Sequence, residues 1–323
     1  MIRFALGRSA SAILTLLGVL ALVFGLVTAA PGDAAALAAR AGGNRGVAVS
    51  PDALAAFRHL YGLDRPVLER FVTWVWRAGR FDFGRSLVDG QPVTVRVARA
   101  LPATFALNAA ALLLACLIGV PLGIAGARRP GGSLDRISGL VCDAFFSTPT
   151  FVLGLVLLLV FSGWLRVTPL FADAESGVRA FLLPVATLSL ASLALVARFV
   201  RVCVAAALAD PAALAGRARG ERPSEEVRRA LRRSAGAFAA MGAVLVPSVV
   251  SGSILVERVF SLPGAGGLLA EAVFARDLPT VLALTWFSAV VVVAASLAAD
   301  LIAAAFDPRI AREVRANATG SAA

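Results

Sequence analysis

His59 is the only histidine in this 323-residue chain, and lysine is absent altogether. Both facts narrow the available chemistry. A phosphate-binding loop of the GxxxxGK[ST] type needs its lysine to reach the terminal phosphates of a nucleotide. The chain is therefore not expected to hydrolyse ATP by itself. A zinc-binding HExxH pattern needs two histidines, and a Ser–His pair needs one beside its nucleophile. His59 lies in a segment of mixed polarity and supplies neither, so a solvated or capping role fits it better than catalysis. Cys116, Cys142 and Cys203 fall in or at the ends of apolar stretches without CxxC spacing, which predicts inert buried thiols and no metal site. No catalytic residue and no cofactor bound by this chain is predicted.

What remains is a small set of polar groups in or at the edges of long apolar stretches: Asn108, Asp143, Arg198, Arg201, Glu257 and Asp300. Ionisable groups at membrane depth are costly and are functional candidates by default. Structural roles compete with that reading. Arg198 and Arg201 are expected to extend toward the membrane surface. Glu257 is placed at an outer helix end beside Arg258, and Asp300 can bond a neighbouring helix or an arginine. Pro121, Pro149 and Pro184 predict kinks or unwound turns.

The elements that position these groups follow from composition. Hydrophobic residues make up 59% of the chain and charged ones only 16%, with a mean hydropathy of +0.84. Apolar blocks of roughly 20 residues, the length of a membrane-crossing helix, occur at about 9–30, 101–127, 138–165, 181–200, 235–256 and 281–306. An all-α membrane protein with six transmembrane helices is predicted. The net charge of +11 is carried by arginine alone. Its distribution argues against nucleic acid as a partner and for the bilayer. With the N-terminus inside, seventeen arginines fall on the inner side, and only Arg166, Arg179, Arg258 and Arg276 lie in the short outer loops. Both termini are therefore predicted to be cytoplasmic. The first block also has the outline of a signal peptide, with small residues Thr28, Ala29 and Ala30 after the apolar run. Its length favours an uncleaved anchor.

Four regions result: the first helix at 1–30, an extracytoplasmic helical segment at 31–100, a five-helix core at 101–306 and a tail at 307–323. In the outer segment, Ser50-Pro51-Asp52 reads as a helix start followed by Leu54, Phe57 and Leu60. A second helix is predicted from Pro66 to Trp76, with a turn at "GRFDFGRS". "RVFSLPGAGGLLAEAVFARDLPT" (258–280) predicts a bent loop and a short helix.

Between the fourth and fifth apolar blocks stands "GRARGERPSEEVRRALRRS" (216–234), with seven arginines and three glutamates. Asp210-Pro211 reads as a helix start, and Ala212 to Arg219 as a short helix broken at Gly220 and again at Pro223. A second helix starts at Ser224-Glu225-Glu226, with acids in its first turn and arginines toward its end, as the helix dipole favours. Glu225–Arg229 is an i,i+4 pair, and Val227 and Leu231 form a narrow apolar stripe. A basic loop that only sets topology and touches anionic lipid explains the arginines. The glycine break and the stripe fit a helix-turn-helix that docks on a protein partner.

"GRARG" (216–220) with "VRRALRRS" (227–234) resembles the cytoplasmic EAA loop of ATP-binding-cassette importer permeases, in the version of the peptide/nickel family. "APGD" (30–33), "YGLDRP" (61–66), "FDFGRS" (81–86), "LPATFAL" (101–107), "STPTFVLGL" (147–155), "LLPVATLSL" (182–190), "VERVFSLPGAGGLL" (256–269) and "DPRI" (307–310) follow the same family in order. The loop differs in placing Glu221-Arg222-Pro223 after Gly220, and Ala212, Ala213 and Leu214 where aromatic and basic residues are common. The resemblance implies a permease subunit moving peptides, nickel chelates or similar small solutes by alternating access. It implies as partners a paralogous second permease, two ATPase subunits that carry ATP and Mg, and an extracytoplasmic substrate-binding protein. Leu214, Arg217, Arg219, Gly220, Val227 and Leu231 would then couple to the ATPase. Gly220 would permit the turn, Val227 and Leu231 would fill the ATPase groove, and the arginines would orient it. Asn108, Asp143 and Asp300 become translocation-path candidates. The rival is a carrier working alone on an ion gradient, with Asp143 or Asp300 as its coupling carboxylate.

Overall fold

The computed structural model describes residues 2–29, 64–168 and 177–306. The helix expected from Ser50, His59, part of the outer loop at 166–179, and the tail from 307 lie outside the described residues. Within them the chain is helical, and the one β contact is an isolated bridge between Arg85 and Pro92. The elements are α1 (Ile2–Ala29), α2 (Val67–Ala78), α3 (Val93–Arg128), α4 (Ser133–Ser147), α5 (Thr150–Leu157, continued by a π-helical turn at Leu158–Trp164), α6 (Arg179–Leu208), α7 (Pro211–Ala218), α8 (Pro223–Arg233), α9 (Ala235–Val259), α10 (Ala265–Phe274) and α11 (Leu278–Phe306).

Stretches of α1, α3, α6 and α11 are long and apolar enough to cross a membrane, and the 25-residue α9 occupies the predicted fifth block. The predicted block 138–165 is not one straight helix: α4 and α5 meet at a bend of 104°. Thr148 is extended (φ −93°, ψ 126°) because the ring of Pro149 disfavours helical backbone in the residue before it. Pro149 then caps the start of α5. Pro184 and Pro121, by contrast, sit inside α6 and α3 without ending them. Helix packing in membrane proteins re-satisfies the few backbone groups a proline frees.

The described residues divide into two compact units. In the first (Met1–Ala12, Phe105–Leu262, Val292–Ala323), α6 is the central post, with α4, α5, α8 and α9 packed on it. Of its most apolar stretch 56% is buried, against 11% for α1, which marks α6 as core and α1 as periphery. Val196, Val200 and Val204 of α6 join Ala127, Ala230, Leu245 and Val249 in one cluster. Glycine lets α3 come close. A Cβ on Gly123 would lie 2.6 Å from the Ala197 carbonyl oxygen and 2.8 Å from Val200 Cβ. Small residues at a helix contact are how membrane helices approach tightly enough for dispersion to hold them.

The second unit comprises Ile13–Thr104 and Pro263–Val291. Phe81 and Phe83 pack edge-on against Trp286 of α11, with ring centroids 5.5 and 5.4 Å apart. Trp74 of α2 packs against the same cluster as Phe83, whereas Trp76 is exposed beneath the Arg80 guanidinium. The fully buried Asp277 carboxylate accepts from Ser86 Oγ at 2.5 Å, Leu87 N at 3.0 Å, Arg96 Nη1 at 2.9 Å and Thr280 Oγ1 at 2.6 Å. The "FDFGRS" turn is thereby tied to the start of α11.

Candidate functional site

The connection between α6 and α9 is a folded helical hairpin. Asp210 stands at the N-cap of α7 and accepts from Ala212 N at 2.8 Å, with Pro211 at the first helical position. The bond to Ala212 N, and then Arg233 at 3.2 Å, hold the Asp210 carboxyl below its ordinary value. At the other end of α7, Gly220 N donates to Arg217 O at 2.9 Å and Glu221 N to Gly216 O at 3.2 Å. This is a Schellman closure, and it needs a left-handed residue. Gly220 has φ +80°, which a side chain would strain.

Three ion pairs close the hairpin. Arg217 of α7 pairs with Glu226 of α8 and also donates to Leu208 O at 3.3 Å. Arg229 pairs with Glu221, and Arg233 with Asp210. The predicted Glu225–Arg229 pair is replaced, because Arg229 turns inward to Glu221, which the Schellman closure places beside it. Gly216 is buried beneath this contact. A Cβ there would meet only the flexible ends of Glu221 and Arg229, so the backbone requirement for glycine in this turn falls on Gly220.

The apolar stripe of α8 is used internally. Ala230 is buried in the α6 cluster, and Leu231 is half-buried against it. This contact holds α8 against its own bundle and leaves part of the Leu231 side chain accessible. Val227 is half-buried too. The exposed large apolar side chain of the hairpin is Leu214 on α7, at 52%. Arg219, Arg222, Arg228 and Arg232 are exposed and form no ion pair with any described residue. The hairpin thus spends Asp210, Glu221 and Glu226 on itself and presents arginine outward.

The intramembrane candidates are not gathered into one place. Asp300 of α11 pairs with Arg8 of α1 at 2.7 Å. Asp143 of α4 pairs with Arg198 of α6 at 2.8 Å. Asn108 lies half-buried on α3. Arg198 and Arg201 do not simply reach for the surface as expected: acidic partners on α4 capture both. Arg201 makes a two-pronged contact with Asp135, which also accepts from Gly131 N at 2.9 Å. The Arg201 hydrogen bond and then Gly131 N hold the Asp135 carboxyl down to about 2. Glu257, expected at a helix end, is buried, at 1% exposure. Asp135 and Asp277 escaped the sequence reading because their partners lie far along the chain. Asp277 did carry a local signal, since Asp-Leu-Pro is a helix start.

A bundle of apolar helices with a folded, ion-paired connection between two of them defines an all-α integral membrane protein. The chain belongs to the family of binding-protein-dependent transport system inner membrane components: the family model matches residues 119–312, and that of the family's N-terminal part matches residues 1–108. It is a multi-pass permease component of an ABC importer, a transport subunit and not an enzyme, with ATP hydrolysis on separate chains. Relatives include a dipeptide transport system permease protein of Lactococcus lactis, 31% identical with 96% of this chain and 99% of that protein covered. A glutathione transport system permease protein of Pectobacterium atrosepticum is 32% identical, again with 96% and 99% covered. The inward-facing MetNI methionine ABC transporter shares the fold, with TM-score 0.52 and 19% identity over 67% of this chain and 99% of that one.

Proposed function

We propose that this subunit, with a paralogous second permease, forms the path by which short peptides enter the cell, fed by an extracytoplasmic binding protein. Two ATPase subunits carrying ATP and Mg bind at the cytoplasmic face, where both termini of this chain also lie. Peptide as cargo follows the relatives, which are named for dipeptide, oligopeptide and glutathione transport. The observation that carries the coupling role is the preformed α7–α8 hairpin. Three of its four acids, Asp210, Glu221 and Glu226, are held in internal ion pairs, while Leu214 and Arg219 are presented outward. Leu214 enters the ATPase groove and Arg219 orients it. Gly220 and Arg217 hold the turn, and Val227 and Leu231 anchor α8 to the bundle. ATP binding closes the ATPases and pushes the hairpin. The spans then exchange between inward-open and outward-open states, driven by the difference in ATP affinity between them. Asn108, Asp143 and Asp300 are the path candidates on this chain. An ion-gradient carrier is disfavoured, since both of its candidate carboxylates are held by arginines.

Gly220→Pro tests the coupling. Proline cannot adopt φ +80° and lacks the N–H that bonds Arg217 O. The variant is expected to reach the membrane but to lose its ATPases on purification in mild detergent and to lose transport. Normal ATPase association and uptake in that variant would sink the docking role.

A further inference from the structure

The Asp143–Arg198 pair leaves 51% of the arginine and 52% of the aspartate side chain exposed. Yet Arg198 lies on α6, long and apolar enough to cross a membrane, and Asp143 on α4, which meets that measure together with α5 as one bent span. Charged groups at such depth face water or protein, not hydrocarbon. Here they open onto a cavity of about 600 Å³ between α4 and α6, in the size range of small-molecule sites. Gly123, Ser138, Gly139 and Ala197 line it, and the Asp135–Arg201 pair lies in the same wall.

The two pairs differ in kind. Asp135 has only 6% of its side chain exposed and is held by both arms of Arg201 and by Gly131 N, so it fastens the start of α4 to α6. Asp143, eight residues and thus about 12 Å further along α4, meets Arg198 through a single contact with both partners open to the cavity. A negative and a positive group, each exchangeable, face one space. Their complement is a solute with its own ammonium and carboxylate. We infer that the α4–α6 cavity is a solute subsite on the translocation path, where Asp143 receives the ammonium end and Arg198 the carboxylate end of an unblocked short peptide. The direct pair closes the subsite again when the solute leaves. The inference rests on the permease reading above.

The test uses the assembled transporter in liposomes, with Cys116, Cys142 and Cys203 replaced by alanine and one cysteine introduced in the cavity wall as Ser138→Cys or Gly139→Cys, which leaves Asp143 and Arg198 in place. Both are expected to react with a charged, membrane-impermeant thiosulfonate, whereas Leu113→Cys, on an exposed apolar face of α3, is not. Trialanine should slow the reaction by roughly tenfold, the size of one charge-assisted hydrogen bond. N-acetyl-trialanine amide should not. In the conservative variant Asp143→Asn, trialanine and its N-acetyl form should compete equally, a change that a merely structural role would not produce. Unreactive cysteines, or reaction indifferent to trialanine, overturn the subsite. ATP- and binding-protein-dependent uptake by the unmodified transporter is scored separately. Its absence would sink the permease reading, and its presence beside silent cysteines would sink the subsite alone.

Discussion

Arg217 of α7 and Glu226 of α8 form an ion pair across the Gly220 turn, nine residues apart in the chain. With Arg217 47% exposed, the pair contributes only about 0.2–1 kcal/mol to stability. Its value is geometric. Arg217→Glu is expected to leave thermal stability nearly unchanged but to weaken ATPase retention, and the exchange Arg217→Glu with Glu226→Arg should restore it. Retention that ignores both variants would show that the pair does not orient the hairpin.

Gly123 is a contact, not a hinge. Gly123→Val should push α3 off α6 and cost about 1–3 kcal/mol, read as a lower unfolding temperature in detergent. Gly139→Ala, where an added Cβ meets nothing within 4 Å, should be near neutral.

Asp277 is buried with Arg96, Ser86 and Thr280 around it. Asp277→Ala leaves the Arg96 guanidinium with only the looser Asp89 contact at 3.6 Å, at an expected cost of about 1–3 kcal/mol. The loss should appear as protease cleavage between residues 79 and 92, the segment the carboxylate ties down, while the α7–α8 hairpin stays protected. Equal protection of residues 79–92 in both proteins would refute the tie.

The Asp135 carboxyl is held at about 2, below its ordinary 3.8. A depressed value in the folded state stabilises above the unfolded value and is lost as pH falls through the folded one. The contribution should therefore be complete above about pH 5 and vanish between roughly pH 4 and 2. Unfolding temperature measured against pH should fall more steeply there for the native chain than for Asp135→Asn. Parallel curves would refute the assignment.

Much of this molecule was legible in its sequence because a bilayer imposes a simple rule: every crossing element needs a long apolar run. The same rule hid the break at Thr148-Pro149, since hydropathy reports that a stretch is greasy and not that it is straight. The hairpin was legible from Asp210-Pro211, Gly220 and Pro223, all of which act on local backbone. Which acid meets which arginine was not. Glu225–Arg229 obeys helix spacing, but the turn brought Glu221 nearer. The same holds for Leu231, whose periodicity marks an apolar face without saying which surface covers it. Asp135 and Asp277 stayed hidden because a carboxylate's long-range partner leaves no periodic trace.

The helix α6 runs without interruption from Arg179 to Leu208, about 45 Å at 1.5 Å per residue. Three residues later Pro211 begins the hairpin, and Ala230 of that hairpin is rooted in the side of α6 near Val204. On another side the same rod carries Arg198 and Arg201. A rod cannot be pushed at one end without swinging what is bolted to its flank. Arg201 is bolted to α4, and Arg198 only rests against it. A stroke at the hairpin would therefore shear the weaker contact first, so the timing of solute release would be set by the unequal strength of two arginines one helical turn apart.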